Sequence, residues 1–405
     1  MASKLNAYQK IFSITESDKR HKQLCILGLK LRIKKTTSNN IDNNKILFIT
    51  SNGAFTCNPK YIYQELIKRM PNYKIVWAVN ANNLAYIKDF PDGIDFVVYD
   101  TSEYYKELAT SKLIIMNERR LKEVKNKIYK REGQIYIQTF HGSLGIKKTG
   151  IDRNDLSKRS IKISQKDSEQ VDYLTSNGKY TTDFFKRTFF NNGKIIETGH
   201  PRNDIFFRDN KLLREQIYKK YNIPTNKKIV LYAPTFREDE DTNCFNLDYE
   251  KLLEALSKKY NSEWVLLLRL HPRMLTIKDE FKKLQKNIID TTLYSDMQEL
   301  LAISDIVITN YSSCIYDFML TYRPAFIYAS DVQKYDNNRG FYYPLTSTPF
   351  PVAENNDIMI KNIEQFDYEK YKKDVSAFLN EKGCIDDGKA SERVVELIKQ
   401  IMGNI

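Results

Sequence analysis

The segment from Asp305 to Phe318, D-I-V-I-T-N-Y-S-S-C-I-Y-D-F, joins a short strand to the start of a helix. Its first half, 306–309, is a β-branched run typical of a strand buried on both faces. The second half spaces apolar residues at helical intervals. A strand that turns directly into a helix leaves free backbone N–H groups, which favour an anion. We therefore expect an anion site at Thr309, Asn310, Ser312 and Ser313, with simple helix capping as the alternative.

Strands and helices alternate on both sides of this segment. Apolar runs predict strands at 46–50, 74–79, 96–99, 113–116, 135–138, 229–232, 263–270, 288–290, 306–309 and 324–328. Intervening patterns predict helices at 60–70, 101–111, 209–221, 249–260, 275–284 and 297–302, with a helical tail at 368–379 and 391–402. Such alternation builds parallel sheets with helices on both faces. We predict an α/β protein of two doubly wound Rossmann-type domains, 45–200 and 201–380, facing a central cleft, with a helix in 381–405 packing back on the first.

Residues 1–44 form a basic segment that ends in an Asn-rich linker. Leu29, Leu31 and Ile33 alternate with Lys30 and Arg32, which predicts a strand pair with one polar face. The same charges would also attract an anionic bilayer surface. A solvated hairpin and a membrane contact both remain open for this segment.

Composition limits the partners of the chain. Its 405 residues carry a net charge of +13, so the partners are expected to be anionic. No nucleic-acid-binding motif accompanies the charge, and we expect no nucleic acid partner. Five scattered cysteines without C-x-x-C fit reduced thiols in the cytoplasm. We find no signal peptide and no apolar run near the ~20 residues of a membrane span.

Three of the four histidines lie in short turns after apolar runs: His141, His200 and His271. Histidine is the side chain best suited to move protons near neutral pH. The first lies in Q-T-F-H-G-S-L-G-I-K-K-T-G, where glycines allow close approach to a ligand and Lys147 and Lys148 supply charge for a phosphate. The alternative is a glycine loop with a capping histidine.

Four further motifs lie at the ends of apolar runs and offer polar groups. The first is G-H-P-R-N-D (199–204), with Arg202 as a bidentate donor to phosphate and Asn203 or Asp204 as a cap for the next helix. The others are Y-A-P-T-F-R (232–237), with Thr235 and Arg237; R-L-H-P (269–272), with Arg269 and His271; and D-V-Q-K-Y-D-N-N-R-G-F (331–341), with Arg339 and Gly340. For the first motif we favour structure and positioning over catalysis. A solvated loop is the alternative for the last.

Several common site motifs are missing from the sequence. There is no G-x-G-x-x-G, G-x-x-x-x-G-K-[ST] or G-x-S-x-G, which argues against a dinucleotide dehydrogenase, a P-loop NTPase and an α/β-hydrolase. No D-x-D pair ends a predicted strand. We therefore predict no protein-bound metal and no obligate cofactor, and leave a divalent ion as an option.

Six ordered motifs resemble the CDP-glycerol:polyglycerol-phosphate glycerophosphotransferase family, whose members make teichoic acids and some capsular polymers. They are T-F-H-G, G-x-P-R-N-D, Y-A-P-T-F-R, R-L-H-P, T-N-Y-S-S-x-x-x-D and R-G-F-Y, within about Ile46 to Ile398. The resemblance implies a GT-B-like fold, with an acceptor-side first domain and a second domain that binds the CDP donor. It also implies a cytoplasmic protein attached peripherally to the inner face of the cell membrane.

The resemblance implies roles for individual residues. His141 and His271 correspond to the two family histidines and are the expected catalytic residues. Donor and phosphate contacts are expected at Thr235, Arg237, Arg269, Thr309, Asn310, Ser312, Ser313, Asp317, Arg339 and Gly340. Acceptor-side contacts are expected at Gly142, Ser143, Lys147, Lys148, Arg202 and Asn203. The chain departs from the common H-G-T-P pattern at Ser143 and Leu144, and its length resembles the single-module primase type.

The expected reaction is transfer of glycerol phosphate from CDP-glycerol, or a related CDP-polyol, to a hydroxyl of a lipid-linked or polymeric acceptor, with release of CMP. Two other enzymes remain as alternatives, a CDP-ribitol ribitolphosphotransferase and a GT-B glycosyltransferase. Outside enzymes, the alternative is a basic module that binds a membrane or nucleic acid through residues 21–35.

Overall fold

The computed structural model describes residues 12–16, 21–26, 29–34, 40–51, 53–142, 144–153, 156–188, 193–235, 246–270 and 287–403. Side chains are described from residue 40 onward, except at 83–86 and 337–339. The strands of these residues form a three-stranded, a seven-stranded and a six-stranded sheet. We call the seven-stranded sheet with its helices the first unit and the six-stranded sheet with its helices the second unit.

The three-stranded sheet lies at the N-terminal end of the described chain. It contains β1 (Phe12–Glu16), β2 (His21–Ile26) and β3 (Leu29–Lys34) in antiparallel order. Leu24 lies opposite Leu31 in the β2–β3 pair. The predicted strand pair is confirmed, and β1 is an additional strand. The predicted polar face concerns side chains outside the described set.

The first unit is built on a parallel sheet with the strand order β10-β9-β8-β7-β4-β5-β6. Its strands are β4 (Asp42–Ile49), β5 (Lys74–Val79), β6 (Asp95–Val98), β7 (Ser111–Met116), β8 (Ile135–Gln138), β9 (Tyr173–Ser176) and β10 (Lys194–Glu197). Its helices are α1 (Cys57–Arg69), α2 (Ser102–Thr110), α3 (Leu121–Lys125), α4 (Lys158–Ser168) and α5 (Lys179–Thr188). The order reverses between β4 and β7, and ligands of such sheets bind at this switch point.

The second unit repeats this arrangement with the order β13-β12-β11-β14-β15-β16. Its strands are β11 (Lys228–Ala233), β12 (Trp264–Leu268), β13 (Ile288–Asp290), β14 (Ile306–Thr309), β15 (Ala325–Tyr328) and β16 (Val352–Ala353). Its helices are α6 (Lys211–Lys220), α7 (Tyr249–Tyr260), α8 (Met297–Ile303), α9 (Cys314–Phe318), α10 (Val332–Arg339), α11 (Asn356–Glu364) and α12 (Tyr368–Lys382). The switch point lies between β11 and β14.

Both sheets are buried on both faces, as the continuous apolar strands predicted. In β14, Val307 joins the apolar core on one face of the sheet, while Ile306 and Ile308 join the core on the other. In β4, Phe48 and Leu47 are divided between two cores in the same way. Each such side chain contributes about 1.5–3 kcal/mol by leaving water. These two central strands therefore anchor the loops that follow them.

Most predicted elements agree with the structure to within a few residues. Helix α1 begins at Cys57, three residues before its predicted start, with Thr56 as its N-cap residue. The helix predicted at 275–284 lies outside the described residues. The structure adds a 3-10 helix at Pro201–Phe207, directly after β10.

The C-terminal helices belong to different units. Side chains of α12, including Tyr371 and Val375, pack in the core of the second unit. Those of α13 (Ala390–Gly403), including Val394 and Ile398, pack in the core of the first unit. The carboxylate of Asp204 accepts hydrogen bonds from the first backbone N–H groups of α13, at 3.0 and 2.8 Å. Asp204 is therefore a helix cap, but for α13 rather than for the next helix in the chain.

A buried ionic cluster joins the two units. Lys60 of α1 lies 2.7 Å from Asp296 and also pairs with Glu299, both at the start of α8. Burial by itself lowers the pKa of Lys60, but the two carboxylates outweigh it and hold the pKa above its usual value. The lysine stays charged, and the cluster fixes α1 against α8.

Candidate functional site

His141 lies just beyond the carboxyl end of β8. Its Nδ1 is 2.8 Å from the carbonyl oxygen of Asn117, which follows β7. A carbonyl oxygen only accepts hydrogen bonds, so the proton of the neutral imidazole sits on Nδ1 and the lone pair sits on Nε2. The side chain is exposed, and its ring stacks on Phe140 with centroids 4.9 Å apart. The site therefore presents an imidazole of fixed tautomer.

The surroundings of His141 keep it neutral. Partial loss of water lowers the pKa of its imidazole below 6.5, and the positive charges of Arg202 and Lys147 act in the same direction. The hydrogen bond to Asn117 opposes them without reversing the shift. Near pH 7 the unprotonated form therefore dominates.

The backbone around His141 is held at three consecutive carbonyl groups. The side-chain amide of Asn58 donates to the carbonyl oxygens of Thr139 and Phe140, at 3.1 and 2.9 Å. The guanidinium of Arg202 donates to the carbonyl of His141 itself. Phe140 has a φ of +52°, a left-handed conformation that non-glycine residues seldom adopt. These bonds stabilise that conformation and so determine where the imidazole lies.

Arg202 does not offer the free phosphate fork that the sequence predicted. The residue is 5% exposed, and its guanidinium lies 2.8 Å from the carboxylate of Asp317 in α9. The same group bonds to His141, and it contacts the sulfur of Cys57 at 3.6 Å. A guanidinium with these partners is a structural link, so the favoured reading of this motif as positioning agrees with the contacts.

Asp317 and Asn203, predicted as donor and acceptor contacts, are also buried. Both are 1% exposed. The side-chain amide of Gln298 in α8 donates to Asn203 at 3.1 Å and to Asp317 at 3.4 Å. These contacts make both residues part of the junction between the units rather than ligand contacts.

The predicted anion turn after β14 is partly closed. Thr309 is fully buried and its hydroxyl donates to the carbonyl of Ala233 at 2.6 Å. Asn310 is 2% exposed, and its side-chain oxygen accepts from the backbone N–H groups of Thr235 and Tyr311, both at 2.7 Å. These groups tie β14 to β11 across the switch point. The assignment of Thr309 and Asn310 to ligand binding is therefore corrected.

Ser312 and Ser313 are the polar residues of this turn that stay partly exposed. The hydroxyl of Ser312 accepts from the N–H of Cys314 at 3.4 Å, and Ser313 makes no capping bond with its side chain. Helix α9 has only five residues, so its dipole adds little. These two hydroxyl groups are the described side-chain candidates for binding an anion at this turn.

The remaining donor-side predictions fall into two groups. Arg269 donates to the carbonyl oxygens of Thr291 and Tyr294 beyond β13, so its guanidinium stabilises a turn. The backbone N–H of Thr235 donates to the side-chain oxygen of Asn310. Arg237 and His271 lie outside the described residues, and the side chain of Arg339 is not described. Ser143, predicted on the acceptor side, also lies outside the described residues.

Two loops assigned to opposite sides of the reaction pair with each other. Lys147 forms an antiparallel bridge with Phe341, and the N–H of Lys148 donates to the carbonyl of Gly340 at 3.0 Å. Gly340 has a φ of +80°, which favours glycine at this junction. Gly142 is half-buried in the His141 loop, and an added Cβ would lie 3.2 Å from the ring of Phe140. The loop of Lys147 and Lys148 is therefore hydrogen-bonded to the loop of Gly340 and Phe341.

His200 was also predicted to lie in a turn, but it is not a proton carrier in this structure. It is fully buried, and neither ring nitrogen has a hydrogen-bond partner among the described residues. Burial, together with the charge of Arg202, lowers its pKa well below 6.5. The imidazole is therefore neutral and serves as packing.

The sequence reasoning missed the residues that orient His141, namely Asn58 and Asn117. One signal was available, because Asn117 directly follows an apolar strand, as Asn310 does in the second unit. Among the described residues, no group of three or more His, Cys, Asp or Glu side chains could hold a metal ion. No described helix is long and apolar enough to cross a bilayer.

Comparison with known proteins gives a family match over residues 31–400, to CDP-glycerol:poly(glycerophosphate) glycerophosphotransferase. The chain is 30% identical over 385 residues to the teichoic acid poly(glycerol phosphate) polymerase of Staphylococcus epidermidis, covering 89% of this chain and 51% of that protein. It thus spans about half the length of that polymerase. It is also 30% identical over 375 residues to the teichoic acid glycerol-phosphate transferase of Staphylococcus aureus, covering 88% and 93%.

Solved structures agree with this match. The wall teichoic acid polymerase TagF superposes with a TM-score of 0.78 at 29% identity, covering 91% of each chain. The fold is accordingly GT-B-like, with two Rossmann-type units. Ribitol-phosphate enzymes of Bacillus spizizenii also match, among them a primase 31% identical over 288 residues, covering 67% of this chain and 71% of that protein.

Proposed function

The chain belongs to the CDP-glycerol:poly(glycerophosphate) glycerophosphotransferase family, and we propose that it transfers glycerol phosphate from CDP-glycerol to a hydroxyl of a lipid-linked or polymeric acceptor, releasing CMP. The setting is teichoic acid or capsular polymer synthesis. The observation that carries the proposal is the imidazole of His141, whose Nδ1 is bonded to Asn117 and whose Nε2 holds the lone pair.

In this mechanism His141 is the general base. Its Nε2 takes the proton of the acceptor hydroxyl, and the oxygen forms a bond to the phosphorus that carries glycerol. The bond from that phosphorus to the CMP oxygen breaks, and CMP leaves with the electron pair. A pKa below 6.5 supports the role, because the base is then unprotonated at the pH of the cytoplasm.

Charge on the diphosphate needs partners in the second unit. The hydroxyls of Ser312 and Ser313 are the described candidates, and His271 and Arg237 keep their expected role on the evidence of sequence alone. Phosphoryl transfer depends largely on positioning and on neutralising negative charge. No obligate cofactor is proposed, and a divalent ion stays optional. Activity retained after chelation, and unchanged by added magnesium, would support that view.

The test of the proposal is a donor panel with a defined lipid acceptor. CDP-glycerol should give CMP release and an acceptor heavier by glycerol phosphate, measured by mass spectrometry. CDP-ribitol is the second candidate donor, because ribitol-phosphate enzymes are also relatives. Transfer from CDP-ribitol alone would instead indicate a ribitolphosphotransferase. Transfer from a UDP-sugar would indicate a glycosyltransferase.

We also propose that the protein works at an anionic membrane surface on the cytoplasmic side. The net charge of +13 and the basic strand β3 support it, as does the exposure of Leu121 and Tyr129 beside the exposed Lys122 and Lys125. The full-length protein should sediment with vesicles containing anionic phosphatidylglycerol, and less so at high salt. Replacing Lys30, Arg32 and Lys34 by Glu should release it. Equal sedimentation with neutral vesicles would contradict the proposal.

A further inference from the structure

Arg202 connects the His141 loop of the first unit to helix α9 of the second. Its guanidinium donates to the carbonyl of His141 and lies 2.8 Å from the carboxylate of Asp317. Both side chains of the ion pair are almost fully buried, at 6% and 2% exposure. A buried pair of this kind holds its geometry, because removing one partner leaves an uncompensated charge away from water.

The position of Arg202 is itself fixed from the His141 side. Its backbone N–H donates to the side-chain oxygen of Asn58 at 3.1 Å. The amide nitrogen of the same Asn58 holds the carbonyls of Thr139 and Phe140. Asn58 and Arg202 thus act as one clamp on three successive peptide groups of the loop.

The other end of the link lies next to the proposed donor turn. Asp317 is in the first turn of α9, four residues after Ser313, and Gln298 of α8 holds its carboxylate as well. A movement of α9 on donor binding would therefore move the guanidinium. The same guanidinium carries a charge that lowers the pKa of His141.

We propose that Arg202, paired with Asp317, is a positioning residue that couples the donor-binding turn of the second unit to the place and protonation of His141. This inference rests on the proposed function for its effect on rate. The effect on the imidazole does not depend on which donor the enzyme uses. Among the described residues, the charged groups acting on His141 are Arg202 and Lys147, with Asp317 behind Arg202.

The first test measures the titration of His141 by NMR of protein labelled in the histidine rings. The chain has four histidines, so His141→Gln assigns the signal. Arg202→Gln removes a positive charge and should move the pKa of His141 upward. Asp317→Asn removes the compensating negative charge and should move it downward. Opposite shifts support the coupling, and an unchanged titration in both variants would overturn it.

Arg214 provides a control with similar hydrogen-bond geometry in a more exposed pair, at 34% and 27% exposure. Its guanidinium also lies 2.8 Å from a carboxylate, that of Asp305, and also donates to a backbone carbonyl, that of Ile303 at 2.9 Å. It contacts neither the His141 loop nor α9 in any described hydrogen bond. Arg214→Gln should leave the titration of His141 unchanged. A shift as large as that of Arg202→Gln would show that loss of any such pair disturbs the imidazole.

The second test uses Arg202→Lys. A lysine keeps the positive charge, but its single ammonium group cannot bond to all the partners that the planar guanidinium reaches. Turnover should fall by about 10- to 100-fold, as expected for a small misplacement of the base, while the Kd for CDP-glycerol stays within about threefold. An equal loss in turnover and in donor affinity would make Arg202 a donor contact instead, and unchanged turnover would remove the positioning role. If no donor is transferred even by the native enzyme, the proposed function fails while the NMR result still decides the coupling.

Discussion

The two switch points of the molecule are closed by the same hydrogen bond. In the first unit the side-chain oxygen of Asn117 accepts from the N–H of Ser51 at 3.0 Å. In the second, that of Asn310 accepts from the N–H of Thr235 at 2.7 Å. Each asparagine directly follows the fourth strand of its sheet, and each donor lies two residues beyond the first strand. The two units therefore share this asparagine hydrogen bond as well as their strand order around the switch point.

The two units differ in the polar groups that remain after this hydrogen bond is made. In the first unit the main-chain carbonyl of Asn117 accepts from Nδ1 of His141, which leaves the lone pair of the imidazole on Nε2. In the second unit Asn310 takes a second backbone donor and Thr309 turns its hydroxyl to Ala233. The first strand end thus holds a histidine of fixed tautomer, whereas the first polar residues at the second strand end are used in internal hydrogen bonds.

The largest effect is expected from removing the imidazole of the first unit. His141→Ala should lower turnover by about 100-fold or more, because general bases contribute on that order. CDP-glycerol should still bind with near-normal affinity by calorimetry, since the donor turn is untouched. An unchanged melting temperature would control for folding. Near-normal turnover would remove His141 from the catalytic role.

The hydrogen bonds of Asn310 and of Asn117 should differ in their contribution to stability. Asn310→Ala leaves two backbone N–H groups without their partner, at a cost of about 2–4 kcal/mol in the free energy of unfolding. Asn117→Ala removes one bond, to Ser51, which is partly exposed and can turn to water, so about 1 kcal/mol is expected. Chemical denaturation of both variants measures the difference. Equal losses would contradict the asymmetry described above.

The serines of the second unit should affect binding rather than stability. Ser312→Ala combined with Ser313→Ala removes two hydroxyl donors and should weaken CDP-glycerol binding by roughly 10-fold, since bonds to charged groups are worth ~1.5–3 kcal/mol each before water replaces them. Thr309→Val is the control, because its hydroxyl already bonds to Ala233. This control should be less stable while keeping its donor affinity. Weaker binding in the control alone would reverse the assignment.

The smallest effect concerns pH. Because His141 must be unprotonated to act as a base, activity should fall as the pH drops through a pKa below 6.5. The charge of Lys147 helps to lower that pKa. Lys147→Gln should therefore move the acidic limb of the kcat profile to higher pH. Lys148→Gln should leave its midpoint in place, and a shift of equal size in both variants would mean that only net charge matters.

Much of the fold could be predicted because its signals are local. The buried strands β5, β8, β13 and β14 were predicted with the bounds that the structure gives them. Strand β9, Tyr173–Ser176, was not predicted, because its four residues include two hydroxyl side chains that the sheet buries. In that strand the surrounding tertiary structure overrides the local pattern.

The sequence by itself determined that this is a two-unit α/β protein of this family and that His141 follows a strand end. Parallel strands bring their carboxyl ends together whatever the loops contain, so periodicity and motif order were sufficient. Only the tertiary structure decided which polar side chains are buried in internal hydrogen bonds and ion pairs. Arg202 and Asp317 both resemble binding residues in their motifs, yet they neutralise each other across 115 positions of sequence. A buried charge must find a partner within a few ångströms, and which partner it finds depends on packing between distant segments.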